Sequence, residues 1–159
     1  MPEYIFLTHE HFDHIWGVNL LKEIYNSQLI CSLACSQKIV NKKKNMSIFY
    51  NQVGFEIYPA DIIVYDETKI QWFNNIFQFI ETPGHTDGSI CIRIDGKLFT
   101  GNTMIKNHKT VIKFPGGNKE KLEKSLAELF SISANQKVIV YPGHGEVFIL
   151  EDFSPADFC

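Results

Sequence analysis

The most distinctive cluster of potential metal ligands in this sequence is three histidines and an aspartate within six residues. These residues are His9, His11, Asp13 and His14, in the segment THEHFDH. Alternate side chains of an extended chain point the same way, so His9 and His11 would face one metal ion together. Asp13 and His14 lie one turn further on, within reach of a neighbouring ion. Because zinc accepts imidazole and carboxylate ligands, the cluster predicts a metal site.

The alternative interpretation of this cluster is structural. Asp13 could cap the following helix by accepting hydrogen bonds from its first free N–H groups. An isolated histidine in such a segment is most often a surface residue or a satisfied core residue. The concentration of three histidines beside one carboxylate favours the metal interpretation.

Two further histidines follow predicted strands through Pro-Gly turns. His85 ends the segment TPGH, and His144 ends the segment PGH. Loops at strand ends on a rigid scaffold are where α/β proteins place their chemistry. The remaining histidine, His108, has no such context and is predicted to lie on the surface without binding metal.

Strands and helices are predicted around these histidines from hydrophobic periodicity. Strands are expected at 4–7, 28–32, 69–73, 76–81, 89–94, 97–100 and 137–141, with β structure from residue 62 onward. Helices are expected at 15–25, 34–41 and 119–132, the last capped by Asn118. Hairpin turns are expected at Asn74-Asn75 and Asp95-Gly96. The apolar stretch 46–59 has no clear period, and the tail from residue 146 has no assignment.

The composition is that of one globular domain, and we predict a single domain over residues 1–159. The chain is 45% hydrophobic and carries a formal net charge of -3, which implies no general attraction to nucleic acid or to an anionic membrane. No signal peptide or membrane-spanning run is recognisable in the sequence. Four cysteines without a Cys-x-x-Cys pair indicate reduced thiols, so a cytoplasmic location is expected.

Four motifs together resemble those of the metallo-β-lactamase superfamily. They are THEHFDH at 8–14, TPGHT at 82–86, TGNT at 100–103 and YPGHG at 141–145, in the family's order and over nearly the whole chain. The turns are most similar to those of its hydroxyacylglutathione hydrolase-like branch. The resemblance implies an α/β fold, namely a four-layer αββα sandwich of two face-to-face sheets with helices outside and a site at one edge.

The resemblance also implies roles for individual residues. It assigns one metal ion to His9, His11 and His85, and a second to Asp13, His14 and His144. Asn102 stands where the family carries an aspartate that bridges the two ions, and a neutral amide is a much weaker ligand. Three imidazoles and a water already complete a catalytic zinc shell. We therefore expect one tightly bound Zn²⁺ and a second that is weak or absent, with Fe or Mn as possible replacements.

The function implied by the resemblance is metal-dependent hydrolysis of a small-molecule substrate. Metal-bound hydroxide would attack an ester, thioester, lactone or amide-like carbonyl. Asp13 would ligate the second ion or, without that ion, orient the water or accept its proton. One alternative is a non-catalytic member that keeps a metal for stability, which Asn102 favours. Another is a phosphodiesterase or nuclease, which the net charge of -3 disfavours.

The N-terminal boundary departs from the family pattern. Members usually have several strands before the strand that carries the His-x-His pair, whereas this sequence begins at that strand. The strand at 4–7 would then leave an unpaired edge and bare apolar surface. We therefore expect a homodimer or a partner chain that supplies strands. The helical region that helps hold glutathione in hydroxyacylglutathione hydrolases is also missing, so specificity for glutathione thioesters is not implied.

Overall fold

The computed structural model describes residues 1–132 and 136–154. The strands are β1 Tyr4–Phe6, β2 Gln28–Ser32, β3 Ile62–Val64, β4 Lys69–Trp72, β5 Asn75–Glu81, β6 Ile90–Ile94, β7 Lys97–Gly101, β8 Ile139–Pro142 and β9 Phe148–Ile149. The helices are α1 Phe12–Ile15, α2 Val18–Tyr25, α3 Leu33–Ile39, α4 Ser47–Asn51 and α5 Lys119–Ile132. A 3₁₀ turn at Leu150–Asp152 follows β9. None of the described helices is long and apolar enough to cross a bilayer.

The strands form two sheets. The first has three parallel strands in the order β1-β2-β3, so β1 lies at one edge. The second has six strands in the order β4 to β9. Adjacent strands of this second sheet are antiparallel, except that β7 and β8 run parallel. Helix α5 connects β7 to β8, and a parallel pair requires such a crossover connection.

The side chains of β2 show how the first sheet is covered on both faces. Leu29 and Cys31 belong to a buried cluster with Ile15 and Ile39, on the side of the N-terminal helices. Ile30 points the opposite way and packs in a second cluster with Phe79 of β5, between the two sheets. The alternation follows from the period of two in a strand and places one layer of helices outside the first sheet.

The second sheet has the same two-sided burial. Ile90 and Ile92 of β6 face the first sheet, while Cys91 between them packs with Leu122 and Leu126 of α5. The predicted helix 119–132 is therefore confirmed as the outer layer on this side. Helices, sheet, sheet and helix stack in that order, which confirms the predicted four-layer αββα sandwich.

Two local predictions from the sequence need correction. The helix expected at 15–25 is divided into α1 and α2, and it begins earlier, at Phe12. The division falls at Trp16-Gly17, where glycine lowers helix propensity. The first hairpin turns at Phe73-Asn74, since Trp72 pairs with Asn75. Phe73 itself takes the left-handed conformation, with φ of 51°, that we expected of asparagine.

Other expectations agree with the structure. Asp95-Gly96 forms the second hairpin turn, with Ile94 paired to Lys97 and positive φ at both turn residues. Asn118 caps α5, because its Oδ1 accepts a hydrogen bond from the N–H of Lys121 at 2.9 Å. The unassigned stretch 46–59 contains the short helix α4, and the tail adds β9. Residues 155–159 of the tail lie outside the described residues.

Candidate metal centre

The His-rich segment is held where the two sheets meet. After β1 ends, the carbonyl of Thr8 accepts a hydrogen bond from the N–H of Ile90 in β6 at 2.8 Å. The chain stays extended through His11, which has φ of -64° and ψ of 143°, and helix α1 begins at the next residue. An extended turn followed by one helical turn therefore presents the ligands of this segment on a fixed backbone.

The structure brings His9, His11 and His85 together as the first candidate metal site. The three side chains are buried, and one ring nitrogen from each lies within 4.8 Å of the others. Nδ1 of His11 and Nε2 of His85 are 3.1 Å apart. The residues come from two separate turns, one after β1 and one after β5, so the folded sheets assemble this site.

Hydrogen bonds on the outer nitrogens orient the rings of His85 and His9. Nδ1 of His85 donates to the carbonyl of Val111 at 2.6 Å, which leaves the lone pair of its Nε2 facing the site. Nδ1 of His9 lies 3.1 Å from the hydroxyl of Thr8. A hydrogen bond to the second ring nitrogen is the usual way in which proteins orient a metal-binding histidine.

One further observation indicates that His9, His11 and His85 fit a metal ion. Nε2 of His9 is buried and has no hydrogen-bond partner among the described residues. A buried polar atom without a partner is costly, and a metal ion would satisfy this one. Three neutral imidazoles around one point are the ligands that zinc uses in catalytic sites.

Burial keeps these imidazoles neutral. Desolvation is the largest cause that lowers the pKa of His11 to about 4, followed by the nearby His85. Desolvation and the neighbouring histidines also hold the pKa of His9 well below 6.5. The pKa of His85 is lowered as well, mainly by burial. A metal ion needs the unprotonated ring, so the site is prepared for binding at neutral pH.

Asp13, His14 and His144 form the second candidate metal site. Oδ2 of Asp13 lies 3.2 Å from Nε2 of His144 and 3.5 Å from Nε2 of His14. The two Nε2 atoms are 3.1 Å apart. Asp13 is the second residue of α1, and His11 is the N-cap. The alternative interpretation of Asp13 as a helix cap is therefore wrong. This site is more exposed than the first.

Asn102 lies between the two groups of ligands. Its Nδ2 is 3.4 Å from Nε2 of His85, and its Oδ1 is buried and has no hydrogen-bond partner in the part of the chain that the structure describes. On the other side, a Cβ added to Gly143 would meet Oδ1 of Asn102 at 2.7 Å and Cε1 of His14 at 2.6 Å. Gly143 also donates its N–H to the carbonyl of Gly101 at 2.7 Å. A glycine is thus required where the two turns approach each other.

Glu10 is a residue of this site that the sequence analysis did not identify. It is 1% exposed, and it accepts hydrogen bonds from the hydroxyl of Thr86 at 2.9 Å and from Nζ of Lys38 at 2.8 Å. Glu10 thereby connects the segment of His9 and His11 to the turn of His85. Its position between two ligands of an extended segment could have predicted that it points to the opposite, interior side.

A cleft of about 270 Å³ opens over the two sites. It is lined by His11, Phe12, Asp13, Met46, His85, Asn102, Ile105, Lys109, Val111, Phe114 and His144. A substrate group could therefore reach ligands of both sites and Asn102. His108 is exposed, as the sequence analysis predicted, and it is not among the described residues that the structure brings together at either site.

Comparison with known proteins agrees with the fold. The family model described as the metallo-beta-lactamase superfamily matches residues 1–144. A probable metallo-hydrolase of Methanocaldococcus jannaschii is 33% identical over 148 residues, which cover 88% of this chain and 68% of the relative. Hydroxyacylglutathione hydrolase 1 of Vibrio vulnificus is 33% identical over 102 residues, covering 64% of this chain and 34% of that enzyme.

A solved structure shows the same fold over nearly the whole chain. The crystal structure of the B3 metallo-beta-lactamase BLEG-1 superposes with a TM-score of 0.87 at 24% identity. The superposition covers 98% of this chain and 77% of that one. The chain therefore spans about two thirds of the archaeal relative, about one third of the Vibrio enzyme and three quarters of the lactamase.

Proposed function

Since this chain belongs to the metallo-beta-lactamase superfamily, we propose that it is a metal-dependent hydrolase of a small-molecule ester, thioester, lactone or amide-like carbonyl. The observation that carries the proposal is the buried group of His9, His11 and His85, in which Nε2 of His9 has no hydrogen-bond partner within residues 1–132 and 136–154. The names of the two curated relatives, a probable metallo-hydrolase and a hydroxyacylglutathione hydrolase, support the same class of reaction.

We propose Zn²⁺ as the ion, with one bound tightly per chain. Three neutral imidazoles form a complete protein shell for catalytic zinc, and the site at His9, His11 and His85 is the more buried of the two. When bound, the ion polarises a carbonyl and lowers the pKa of a coordinated water to ~7. Iron and manganese are also compatible with imidazole ligands.

The surrounding residues orient the reactants and move the proton. Among the described residues that line the cleft, Asp13 is the one carboxylate, and its Oδ2 would accept a proton from the attacking water. His144 lies 3.2 Å from that oxygen and holds the carboxylate in place. Asn102 can offer only an amide oxygen between the sites, so we propose that any second ion at Asp13, His14 and His144 binds weakly.

A second candidate function is metal binding without catalysis. Asn102 favours it, because the amide removes one negative charge from the position between the two sites. Tightly bound metal without hydrolysis of any carbonyl substrate would support this second function. A phosphodiesterase has less support, since the chain has a net charge of -3.

The open edge of the first sheet supports a proposal about assembly. Among the described strands, β1 pairs only with β2, so its other side presents unpaired backbone groups. Leu20 and Ile24 of the neighbouring helix α2 are 60% and 58% exposed. We propose that this edge pairs with a second copy of the chain or with strands from a partner.

The test of the proposed function is a comparison of metal-loaded variants on a panel of carbonyl substrates and one phosphodiester. The unmodified protein is expected to hydrolyse at least one ester, thioester or lactone. Addition of a chelator is expected to abolish this reaction. His85→Ala should remove activity and tight metal binding together, whereas the control His108→Ala should keep both. Activity that survives His85→Ala, or hydrolysis of the phosphodiester alone, would contradict the proposal.

A further inference from the structure

Three aromatic side chains form a connected surface beside the metal centre. The rings of Phe12 and Tyr50 stack with centroids 5.0 Å apart and an interplanar angle of 29°. The ring of Trp16 meets Tyr50 edge-on at 5.5 Å. Phe12, Trp16 and Tyr50 come from α1, from the turn after it and from α4, and together they are called the aromatic surface below.

This surface is largely open to solvent. Tyr50 is 61% exposed and Trp16 is 57% exposed. Large rings that stay exposed gain little from folding, and a contiguous apolar patch of this kind usually marks a binding site. Stability of the fold therefore does not explain why these rings lie next to each other.

The loop that carries Tyr50 is built to hold this position. Two buried polar residues fasten it: the amide of Asn45 donates to the carbonyls of Ile39 at 3.1 Å and Phe55 at 2.8 Å, and the hydroxyl of Ser47 accepts from the N–H of Phe55 at 2.8 Å. Met46 and Gln52, at the two ends of α4, both take positive φ, at 68° and 63°. A loop with buried hydrogen bonds and two left-handed residues is pre-organised, and it directs Tyr50 outward.

The aromatic surface is continuous with the cleft over the metal centre. Phe12 lies between the candidate ligands His11 and Asp13 in the sequence, and both Phe12 and Met46 line the cleft. Among the cleft residues outside the two candidate sites, Lys109 alone is charged. A group that leaves the metal centre over Phe12 therefore reaches Tyr50, whose ring stacks on that of Phe12.

We propose that the aromatic surface binds an apolar acyl group of the substrate, whose carbonyl lies at the metal centre. The inference rests on the proposed hydrolase function and specifies its substrate class as esters or thioesters of medium-chain acids. Hydrolysis adds one water across the acyl bond and releases the acid and an alcohol or thiol, so no further reactant is needed. The aromatic surface would contact only the part of the acid that does not react.

Hydrolysis of 4-nitrophenyl acetate, butyrate and octanoate by the zinc-loaded protein tests this proposal. Full burial of one methylene raises binding affinity about fourfold. Here we expect each methylene to raise kcat/KM roughly twofold, because one side of the acyl chain stays in solvent. Octanoate has four more methylenes than butyrate, so its kcat/KM should be higher by about 16-fold. Trp16→Ala and Tyr50→Ala should remove most of this difference, so that the ratio of kcat/KM for octanoate to that for butyrate falls towards one. The control is Tyr65→Ala, because Tyr65 is 57% exposed but lies away from the cleft.

A binding measurement separates this proposal from the function on which it rests. The chain has two tryptophans, so Trp72→Phe leaves Trp16 as the only one, and its fluorescence can be followed during titration with octanoate and with acetate. Saturable quenching by octanoate alone that Tyr50→Ala removes would support the acyl site, even if no ester were hydrolysed and the proposed hydrolase function failed. Hydrolysis that is independent of chain length, without quenching, would overturn the acyl site and leave the hydrolase function standing. Absence of quenching because Trp16 is covered in a dimer would also overturn it and identify the surface as a protein interface.

Discussion

Among single residues, we predict that the neutral amide of Asn102 limits how many metal ions this centre holds. A carboxylate at this position would add one negative charge between two dications, which a neutral amide cannot do. Oδ1 of Asn102 is buried without a hydrogen-bond partner among the described residues, 2.7 Å from where a Cβ of Gly143 would lie. Asn102 therefore places a neutral amide beside His85 and Gly143.

Asn102→Asp is predicted to raise occupancy of the site at Asp13, His14 and His144. Elemental analysis after dialysis at a fixed zinc concentration should find a second ion per chain in the variant and about one in the unmodified protein. Asn74→Asp makes the same change of charge in the exposed turn after β4 and serves as the control. Equal metal content in Asn102→Asp and the unmodified protein would show that the missing charge does not limit the second site.

The buried histidines also predict how the metal-free protein responds to acid. Burial lowers the pKa of His11 from 6.5 to about 4, so the unfolded chain takes up protons in this range more readily than the folded one does. The contribution of neutral His11 to the free energy of unfolding is thus fully present above pH 6.5 and is lost as the pH falls towards 4. Each unit of difference between the unfolded and folded pKa corresponds to about 1.4 kcal/mol of this loss. Urea unfolding between pH 7 and 4.5 should show this loss. The free energy of unfolding of His11→Gln is expected to fall less over this pH range. If that variant has the same pH dependence as the unmodified protein, His11 is not the cause of the loss.

At the scale of elements, the turns that carry the ligands depend on close approaches of the backbone. Gly84 has φ of 147°, and a Cβ there would lie 2.4 Å from Cα and 2.5 Å from N of Leu122 in α5. Its carbonyl accepts the N–H of Asn118, the cap of that helix, at 2.8 Å. The turn of His85 is thus packed directly against the start of α5.

Gly84→Ala is predicted to lower the free energy of unfolding by roughly 2 kcal/mol or more, because the backbone of α5 must move. Chemical denaturation of the metal-free variant measures this effect. Gly17→Ala is the matched control: no atom lies within 4 Å of its added Cβ, and it precedes α2, so it should be neutral or slightly stabilising. Equal stability of the two variants would contradict the close packing of the turn.

The sequence predicted the regular elements with local signals well and those set by tertiary packing less well. Asp95-Gly96 and helix 119–132 were found because turn chemistry and a 3.6-residue period are local. The break at Gly17 and the turn at Phe73-Asn74 were missed, since neither follows from intrinsic preference alone. The buried role of Glu10 was missed because its partners Lys38 and Thr86 are distant in sequence.

At the scale of the whole molecule, the first sheet predicts self-association. β1 is an edge strand with one described neighbour, and such an edge is a template for pairing with another chain. Light scattering after size exclusion should show a dimer, or a protein that binds a hydrophobic dye through its bare surface. A monomer that binds no dye would contradict this prediction and indicate that the described residues already cover the apolar faces.

We propose that His9, His11 and His85 together hold one catalytic metal ion. Elemental analysis of the zinc-loaded, dialysed protein tests this proposal in parallel with His11→Ala, His85→Ala and His108→Ala. We predict about one tightly bound ion per chain in the unmodified protein and in His108→Ala, and almost none in the other two variants. Full metal content in His11→Ala or His85→Ala, or loss of the ion in His108→Ala, would contradict it.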